Sequence, residues 1–300
     1  MSSPSPQQSI TPETYEIHES NILHKSKDYH YNAGFHRRRR KHKKILGKFD
    51  AEYQEDRQQD LVTMKSIEAA IHAKVESMIA NNLIFKYLSD ESIPPTERLA
   101  RVTPRLAYFA LAFQDLQAYV LKYPDEEAKS DRIKAAINAH CVEDSNHWPL
   151  FLADLKTLGL DAQTTYTSAF KSLWGKEARI QRYSCYDLAI LASQAKDPIL
   201  RFAFLLSQEI NGHAVFSKFL EVAEKSEMDT GKELFYYGRT HYLRETGGLH
   251  GQEDIENELL QMKLSPEMRA KAMDIVMKQL DIQNAEWNDL AVAALANKKW

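Results

Sequence analysis

From about residue 49 to the end of the chain, apolar residues recur at intervals of three and four, the pattern of amphipathic helices. The first such face consists of Leu61, Met64, Ile67, Ala70, Ile71 and Val75. No sustained alternation of apolar and polar residues, the pattern typical of strands, interrupts these faces. The pattern therefore predicts an all-α protein whose first long helix includes residues 61–75.

Proline and glycine divide the rest of the chain into further helices. Thr103 and Pro104 predict a helix that starts there and runs to about Lys122, since threonine caps helices and proline suits their first position. Later helices are predicted at about 125–157, 162–173, 178–195, 198–225, 230–246, 252–262, 265–279 and 281–297. The predicted product is one domain, residues 49–300, with about eight to ten helices.

Composition agrees with long helices and narrows the class of protein. The 300 residues include 10 Gly and 10 Pro, about 3% each against the usual roughly 7% and 5%. A net charge of -3 gives no global reason to bind nucleic acid, and two cysteines are too few for a disulfide framework. The apolar stretch 199–219 contains Arg201, Glu209 and His213, so it does not predict a membrane span. We therefore expect a cytoplasmic protein.

Residues 1–48 form a separate polar segment that includes the basic run 36–44, HRRRRKHKK. This segment has too few apolar residues to offset the entropy lost on ordering, so we expect a disordered or loosely packed arm. Its charge could bring it to an anionic partner, such as nucleic acid or a membrane surface. A solvated basic tail is the simpler interpretation, because no aromatic residues interleave the run.

The first group of chemically interesting residues lies in the segment 139–149. On a continuous helix His140, Glu143, Asp144 and His147 would share one face. Two imidazoles beside one or two carboxylates suit a divalent metal ion, which takes neutral nitrogen and anionic oxygen ligands together. A solvated polar face is the alternative, and the spacing does not choose which of the carboxylates accompanies His147.

Two later segments offer further ligands of the same kind. Glu209 and His213 lie four residues apart in the most apolar helix, where they could bind a metal or simply satisfy each other. His241 and Glu245 repeat that spacing and could equally be a surface pair. The glycines 247 and 248 interrupt the helix, so periodicity does not place His250.

Three separate segments thus supply both imidazoles and carboxylates, enough for two metal ions. A carboxylate-bridged pair of iron or manganese ions needs about two terminal ligands per ion plus one or two bridges. The spacing lacks the paired Glu-x-x-His motifs of ferritin-like carboxylate proteins, so a different helical scaffold is indicated.

At these residues the sequence resembles the heme-oxygenase-like diiron oxidases, which are related in fold to heme oxygenase, pyrroloquinoline quinone synthase and thiaminase. The resemblance covers about residues 60–260. It rests on Glu143-Asp144-x-x-His147-Trp148 with the following Phe151-Leu152-x-Asp154-Leu155, on Glu209, and on His241-x-x-x-Glu245. The third motif of such proteins ends in a histidine that would fall at Gly248 here, and His250 is the nearest substitute.

The resemblance implies a heme-oxygenase-like helical bundle and a non-heme oxidase with two iron ions, or iron and manganese. Such an enzyme would activate dioxygen and oxidise a small organic substrate with electrons from an external reductant. The resemblance also implies a homodimer. Three alternatives stay open: a non-catalytic helical interaction protein, a thiaminase-like hydrolase that uses the Cys141 thiolate, and a heme protein with His72 as ligand.

Overall fold

The computed structural model describes residues 63–244, 249 and 252–296. Within these residues the all-α prediction is confirmed, since no strand is formed and one isolated bridge joins Thr63 to Lys263. The helices are α1 (Lys65–Asn81), α2 (Leu83–Leu88), α3 (Pro95–Asp115), α4 (Asp125–Ala128), α5 (Arg132–Asp144), α6 (Trp148–Thr157), α7 (Tyr166–Trp174), α8 (Arg179–Gln194), α9 (Pro198–Thr230), α10 (Arg239–Tyr242), α11 (Glu253–Gln261) and α12 (Pro266–Leu295).

Nine of the twelve α-helices in the described part are longer than six residues, in line with the predicted eight to ten. A π-helical segment, Leu116–Leu121, continues α3 without a break. The predicted basic arm, residues 1–48, lies outside the described residues.

The core is built around α9, which packs against α1, α3 and α12. Asp197 caps its start by accepting a hydrogen bond from the Ile199 N–H at 2.8 Å, and Pro198 occupies the first turn. The helix ends at Gly231, whose φ of 66° is the left-handed conformation that glycine adopts most easily. Among the described residues, no helix is both long enough and apolar enough to cross a membrane.

The two helices predicted at 265–279 and 281–297 are a single helix, α12. No glycine or proline lies between Pro266 and Leu295 that would end it. Its buried apolar positions continue through the expected break, from Ile275 and Leu280 to Trp287 and Leu290. The predicted break at residue 280 was therefore wrong.

The predicted helix start at Thr103 was also wrong, because α3 begins eight residues earlier at Pro95. Pro104 lies inside that helix. The hydroxyl of Thr103 does not cap a helix start; it donates to the Leu99 carbonyl oxygen at 2.7 Å and contacts the hydroxyl of Tyr237 at 2.9 Å. Pro95 occupies the first turn of α3 without a side-chain cap at Pro94, whereas Thr103 and Pro104, which have the stronger local signal, lie inside the helix.

Candidate metal centre

The candidate site begins on α5, which hydrogen bonds at its start and in its middle hold in place. Asp131 caps its start by accepting hydrogen bonds from the backbone N–H groups of Ile133 and Lys134 at 2.9 and 3.2 Å. The Asn138 amide pairs with the backbone of Tyr123 through two hydrogen bonds, of 2.7 and 2.9 Å. These contacts fix the helix against the chain that follows the π-helical segment and turn His140 and Asp144 into the core.

A first group of potential ligands brings together α5 and α9. Nε2 of His140 lies 3.2 Å from Oδ2 of Asp144 and 3.4 Å from Oε1 of Glu209. His140 is fully buried, and the two carboxylates are at most 5% exposed. Burial alone would lower the pKa of His140, but the adjacent carboxylates of Asp144 and Glu209 outweigh it and raise that pKa well above its ordinary value.

A second group lies at the junction of α5 and α6 and consists of Glu143, Asp144 and His147. Oε1 of Glu143 lies 3.3 Å from Nε2 of His147. The single helix predicted over 125–157 is wrong here: α5 ends at Asp144, and α6 starts at Trp148 with Pro149 in its first turn. Since proline has no backbone N–H to donate, a continuous helix would lose a hydrogen bond at Pro149. The break nevertheless keeps His147 beside Glu143.

Asp144 belongs to both groups, so the two groups share one carboxylate. Its Oδ2 accepts a hydrogen bond of 2.8 Å from Nε2 of Gln117, which is fully buried in the π-helical segment. π-helical segments often occur at functional sites because the extra residue re-aims nearby side chains. The sequence does not single out Gln117, since an amide among apolar neighbours belongs to no motif.

His241 approaches the second group from α10. Its Nε2 lies 3.1 Å from Nδ1 of His147, and its ring stacks on Tyr236 at a centroid distance of 4.6 Å. Phe216 covers the same imidazole edge-on at 4.4 Å. Two ligands at right angles on one ion, each about 2.1 Å from it, lie roughly 3 Å apart. The two imidazoles therefore have the separation of neighbouring ligands only for an ion bound to Nδ1 of His147, because Nε2 of the same ring faces Glu143.

Asp154 explains why His241 is not on the long helix predicted at 230–246. Its carboxylate accepts hydrogen bonds from three consecutive backbone N–H groups, those of Phe235, Tyr236 and Tyr237, at 2.7, 3.0 and 3.0 Å. These groups are then not available for helical hydrogen bonds, and only the short helix α10 forms. Burial raises the pKa of Asp154 to about 6, although the three hydrogen bonds act in the opposite direction.

The remaining predicted ligands are placed differently. His213 lies in neither group; its Nε2 is 3.1 Å from the hydroxyl of Tyr242, and the two rings are 4.9 Å apart. Glu245 and His250 lie outside the described residues. His72, the heme ligand of one alternative, is exposed on α1. Cys141 is fully buried, and burial raises the pKa of its thiol.

A cavity of about 40 Å³, here called the metal cavity, adjoins both groups. It is lined by Asp144, His147, Glu209 and His241 on one side and by aromatic rings such as Phe109 and Phe216. Gln208, Gln283 and Trp287 contribute polar groups to the same walls. The cavity thus brings a ligand-sized space next to the carboxylates and imidazoles.

The donor set could hold divalent metal ions. In each group, one potential ligand atom per residue lies within 4.8 Å of the others. Opposite ligands of an ion with bonds of about 2.1 Å lie roughly 4.2 Å apart, so the spread is compatible with one ion in each group. Imidazole nitrogen mixed with carboxylate oxygen, without thiolate, suits zinc as well as iron and manganese.

Comparison with known proteins assigns the chain to no family. No family model matches it, and no curated protein matches it at a significant level. The geometry of the site is therefore the basis for assigning a function.

Proposed function

We propose that this protein is a non-heme oxidase with two iron ions, or iron and manganese, that uses dioxygen to oxidise a small organic substrate. The observation that supports this most directly is that two groups of imidazole and carboxylate ligands, buried except for the partly exposed Glu143, share Asp144. A carboxylate has two oxygens and can bridge two ions, which is the usual arrangement in dinuclear carboxylate sites. Glu209 and His140 would complete one position, and Glu143 and His147 the other.

The burial of these groups favours a metal over a mere hydrogen-bond network. Asp144 and Glu209 are 1% and 4% exposed, and a buried ionised carboxylate is costly unless a cation compensates it. Nε2 of His140 lies 3.2 Å from Oδ2 of Asp144 and 3.4 Å from Oε1 of Glu209. A divalent ion bound by these three residues would place two positive charges beside the two buried carboxylates.

When bound, the metal pair would supply the electrons and Lewis acidity needed to reduce dioxygen. The protein's own residues perform the positioning. Gln117 holds Asp144 through its 2.8 Å hydrogen bond, and Asp154 fixes the loop that carries Tyr236 and leads to His241. The rings of Phe216 and Tyr236 cover His241 and exclude bulk water from the ligand side of the cavity.

The thiaminase-like alternative is disfavoured by the state of Cys141. A nucleophilic cysteine needs a lowered pKa and access to the substrate. Here the side chain is fully buried and its pKa is raised, so the thiol stays protonated. Cys141 also does not line the metal cavity.

The non-catalytic alternative predicts that the purified protein lacks stoichiometric metal and that His147→Ala leaves partner binding intact.

Metal content after ferrous loading without air tests the proposal. We expect about two iron ions per chain by elemental analysis, with a dioxygen-dependent colour on exposure to air. Asp144→Asn should lose most of this iron, because the variant affects both groups. Asp161→Asn, which removes an exposed carboxylate, is the matched control and should bind iron as the wild type does. Less than half an iron ion per wild-type chain would refute the proposed function.

A further inference from the structure

A second cavity adjoins the metal cavity and is larger. It has a volume of about 230 Å³ and lies between α3, the π-helical segment and α8; it is here called the outer chamber. Phe109 and Phe113 line both spaces, so these two rings form the wall between them. The remaining walls of the outer chamber include Tyr108, Ala112, Leu116, Val120, Leu188 and Ala189.

Size separates the roles of the two spaces. A water molecule needs about 10–15 Å³ of cavity volume. The metal cavity of about 40 Å³ therefore has room for roughly three water molecules, or for one small functional group of a ligand. An organic substrate does not fit there as a whole. An engineered apolar cavity of about 150 Å³ binds benzene. The outer chamber exceeds that volume and can hold a body of one or two rings or a chain of similar size.

The chemistry of the outer chamber selects an apolar, uncharged body. Its lining is mainly aromatic and aliphatic, with the Cys185 thiol and the tyrosine hydroxyls as the other polar groups, and Asp115 is the one charged lining residue in the described part of the chain. The hydroxyls of Tyr108 and Tyr186 bond to each other at 3.1 Å. Asp115 is exposed, which places its charge towards solvent. Burying an ionic group against such walls would be costly, whereas burying apolar surface is favourable.

The metal cavity carries the complementary polar groups. Gln208 and Gln283 are 4% and 3% exposed and Trp287 is 1% exposed. Within the described residues, both side-chain amide atoms of Gln208, the Oε1 of Gln283 and the Nε1 of Trp287 have no hydrogen-bond partner. Leaving such buried groups unsatisfied is costly, so water or a ligand must occupy the space between them. Their donors and acceptors suit a ligand group that both donates and accepts, such as an amide or a hydroxyl.

We infer that the substrate is a small amphipathic molecule. Its apolar body lies in the outer chamber, and its polar group passes Phe109 and Phe113 to contact Gln208 and Gln283 beside the metal ligands. The assignment of this ligand as substrate rests on the proposed function. The binding site itself rests on the two cavities and the buried amides.

A matched pair of probes tests the inference by fluorine NMR on the metal-free protein. The probes are 3-(4-fluorophenyl)propanamide and 1-ethyl-4-fluorobenzene, which share the ring but differ in the amide. We expect both to bind, the amide probe about tenfold more tightly because of the added hydrogen bonds. Gln208→Leu combined with Gln283→Leu should bring the two affinities within about twofold of each other.

Two further variants test whether the fluorophenyl ring of the probes lies in the outer chamber. Ala112→Phe, or Ala189→Phe from the opposite wall, fills the outer chamber and should weaken both probes by at least about tenfold. Ala73→Phe and Gln163→Leu alter exposed residues and are the controls for the added ring and the lost amide. Circular dichroism establishes that each variant is folded. Equal affinity of both probes for the wild type, or binding that survives both filling variants, would overturn the inference.

Metal loading separates this inference from the proposed function. In protein loaded with Mn²⁺, the paramagnetic ion should broaden the fluorine signal of the bound amide probe. Elemental analysis of the same sample records the metal content independently. Broadening supports the substrate role; a metal-loaded protein without broadening overturns it, even if the probe binds. If the protein binds the two probes as expected but binds no metal, the proposed function and the substrate role are both refuted. Only the inference of a binding site would then stand.

Discussion

Asp154 and Tyr237 are joined by a hydrogen bond of 3.0 Å in which the buried carboxylate accepts from the backbone N–H. The same carboxylate holds the N–H groups of Phe235 and Tyr236. One side chain of α6 thus determines the path of the loop that leads to His241. Changes at Asp154 should therefore affect both stability and the metal site.

Replacing Asp154 with asparagine should destabilise the protein. The amide has one acceptor oxygen where the carboxylate has two, so at least one buried backbone N–H loses its partner, at a cost of about 1–3 kcal/mol. Urea unfolding of the wild type and Asp154→Asn measures the difference. Asp187→Asn, an exposed substitution on α8, should leave the free energy of unfolding within about 0.5 kcal/mol. The comparison is made at about pH 4, where Asp154 is protonated in the folded state and buried charge does not affect it; an unchanged stability of Asp154→Asn there would contradict the anchoring role.

Asp154 also predicts a dependence of stability on pH. Its folded pKa of about 6 lies above the ordinary 3.8, so between these values the folded state binds more protons than the unfolded state. Its contribution to stability is therefore full below about pH 4 and is lost as the pH rises to about 6. The shift corresponds to roughly 3 kcal/mol at about 1.36 kcal/mol per pKa unit. Unfolding curves across pH 4–7 should show a loss in the wild type that Asp154→Asn lacks; parallel profiles would refute the assignment.

Gln117→Leu should weaken metal binding without preventing folding. The substitution keeps a similar volume but removes the hydrogen bond that orients Asp144. Loss of such an outer contact typically costs about 10–100-fold in metal affinity. Titration with Mn²⁺ followed by electron paramagnetic resonance measures the affinity, and Gln163→Leu controls for the change of residue type at an exposed position. Wild-type affinity in Gln117→Leu would show that Asp144 is oriented by other contacts.

Cys141 should resist alkylation in the native protein. It is fully buried with a raised pKa, whereas a thiolate is the reactive form. Iodoacetamide at pH 8, followed by peptide mass spectrometry, should modify Cys141 only after denaturation. Fast modification of native protein together with loss of activity would revive the hydrolase alternative.

Glu286 offers a test of how burial affects stability away from the site. It is fully buried in α12, and neither of its carboxyl oxygens has a hydrogen-bond partner in the described part of the chain. Burial raises its pKa well above the ordinary 4.5. Replacing it with Met, which has a similar volume, should raise the free energy of unfolding by about 1–3 kcal/mol at neutral pH. Thermal and urea unfolding measure the change in stability. Glu286→Gln is the control, because it keeps an unsatisfied polar group. Destabilisation by Glu286→Met would contradict the prediction and indicate that the carboxyl group has a stabilising role.

The fold class and several helix ends could be predicted from the sequence because they depend on local signals. The capping aspartate and proline of α9, at Asp197 and Pro198, act within one turn. The shape of residues 230–246 depends instead on Asp154, which is more than 80 residues away in the sequence. Periodicity contains no information about that contact, so the predicted helix there was wrong.

In the candidate site too, the residues with a recognisable local pattern could be predicted and the others could not. Glu209, Asp144 and His147 were identified because carboxylates and imidazoles are unusual among apolar neighbours. Gln117 and the cavity-lining Gln208 were not, since an isolated glutamine has no preferred spacing to a metal or ligand. Helix spacing also grouped His213 with Glu209, although the structure turns it towards Tyr242. A step of four residues leaves an angular difference of about 40°, enough for adjacent turns to face different neighbours.

The π-helical segment determines how the residues after it are rotated about the helix axis relative to α3. Before it, α3 presents its apolar face to α9 and α12; after it, the Leu121 carbonyl accepts from Arg201 and Tyr123 pairs with Asn138. Removing one residue would turn everything beyond the deletion by about 100° and break both anchors together. The length of this stretch is thus fixed from both sides, and loss of a single residue here should be less tolerated than most substitutions within it.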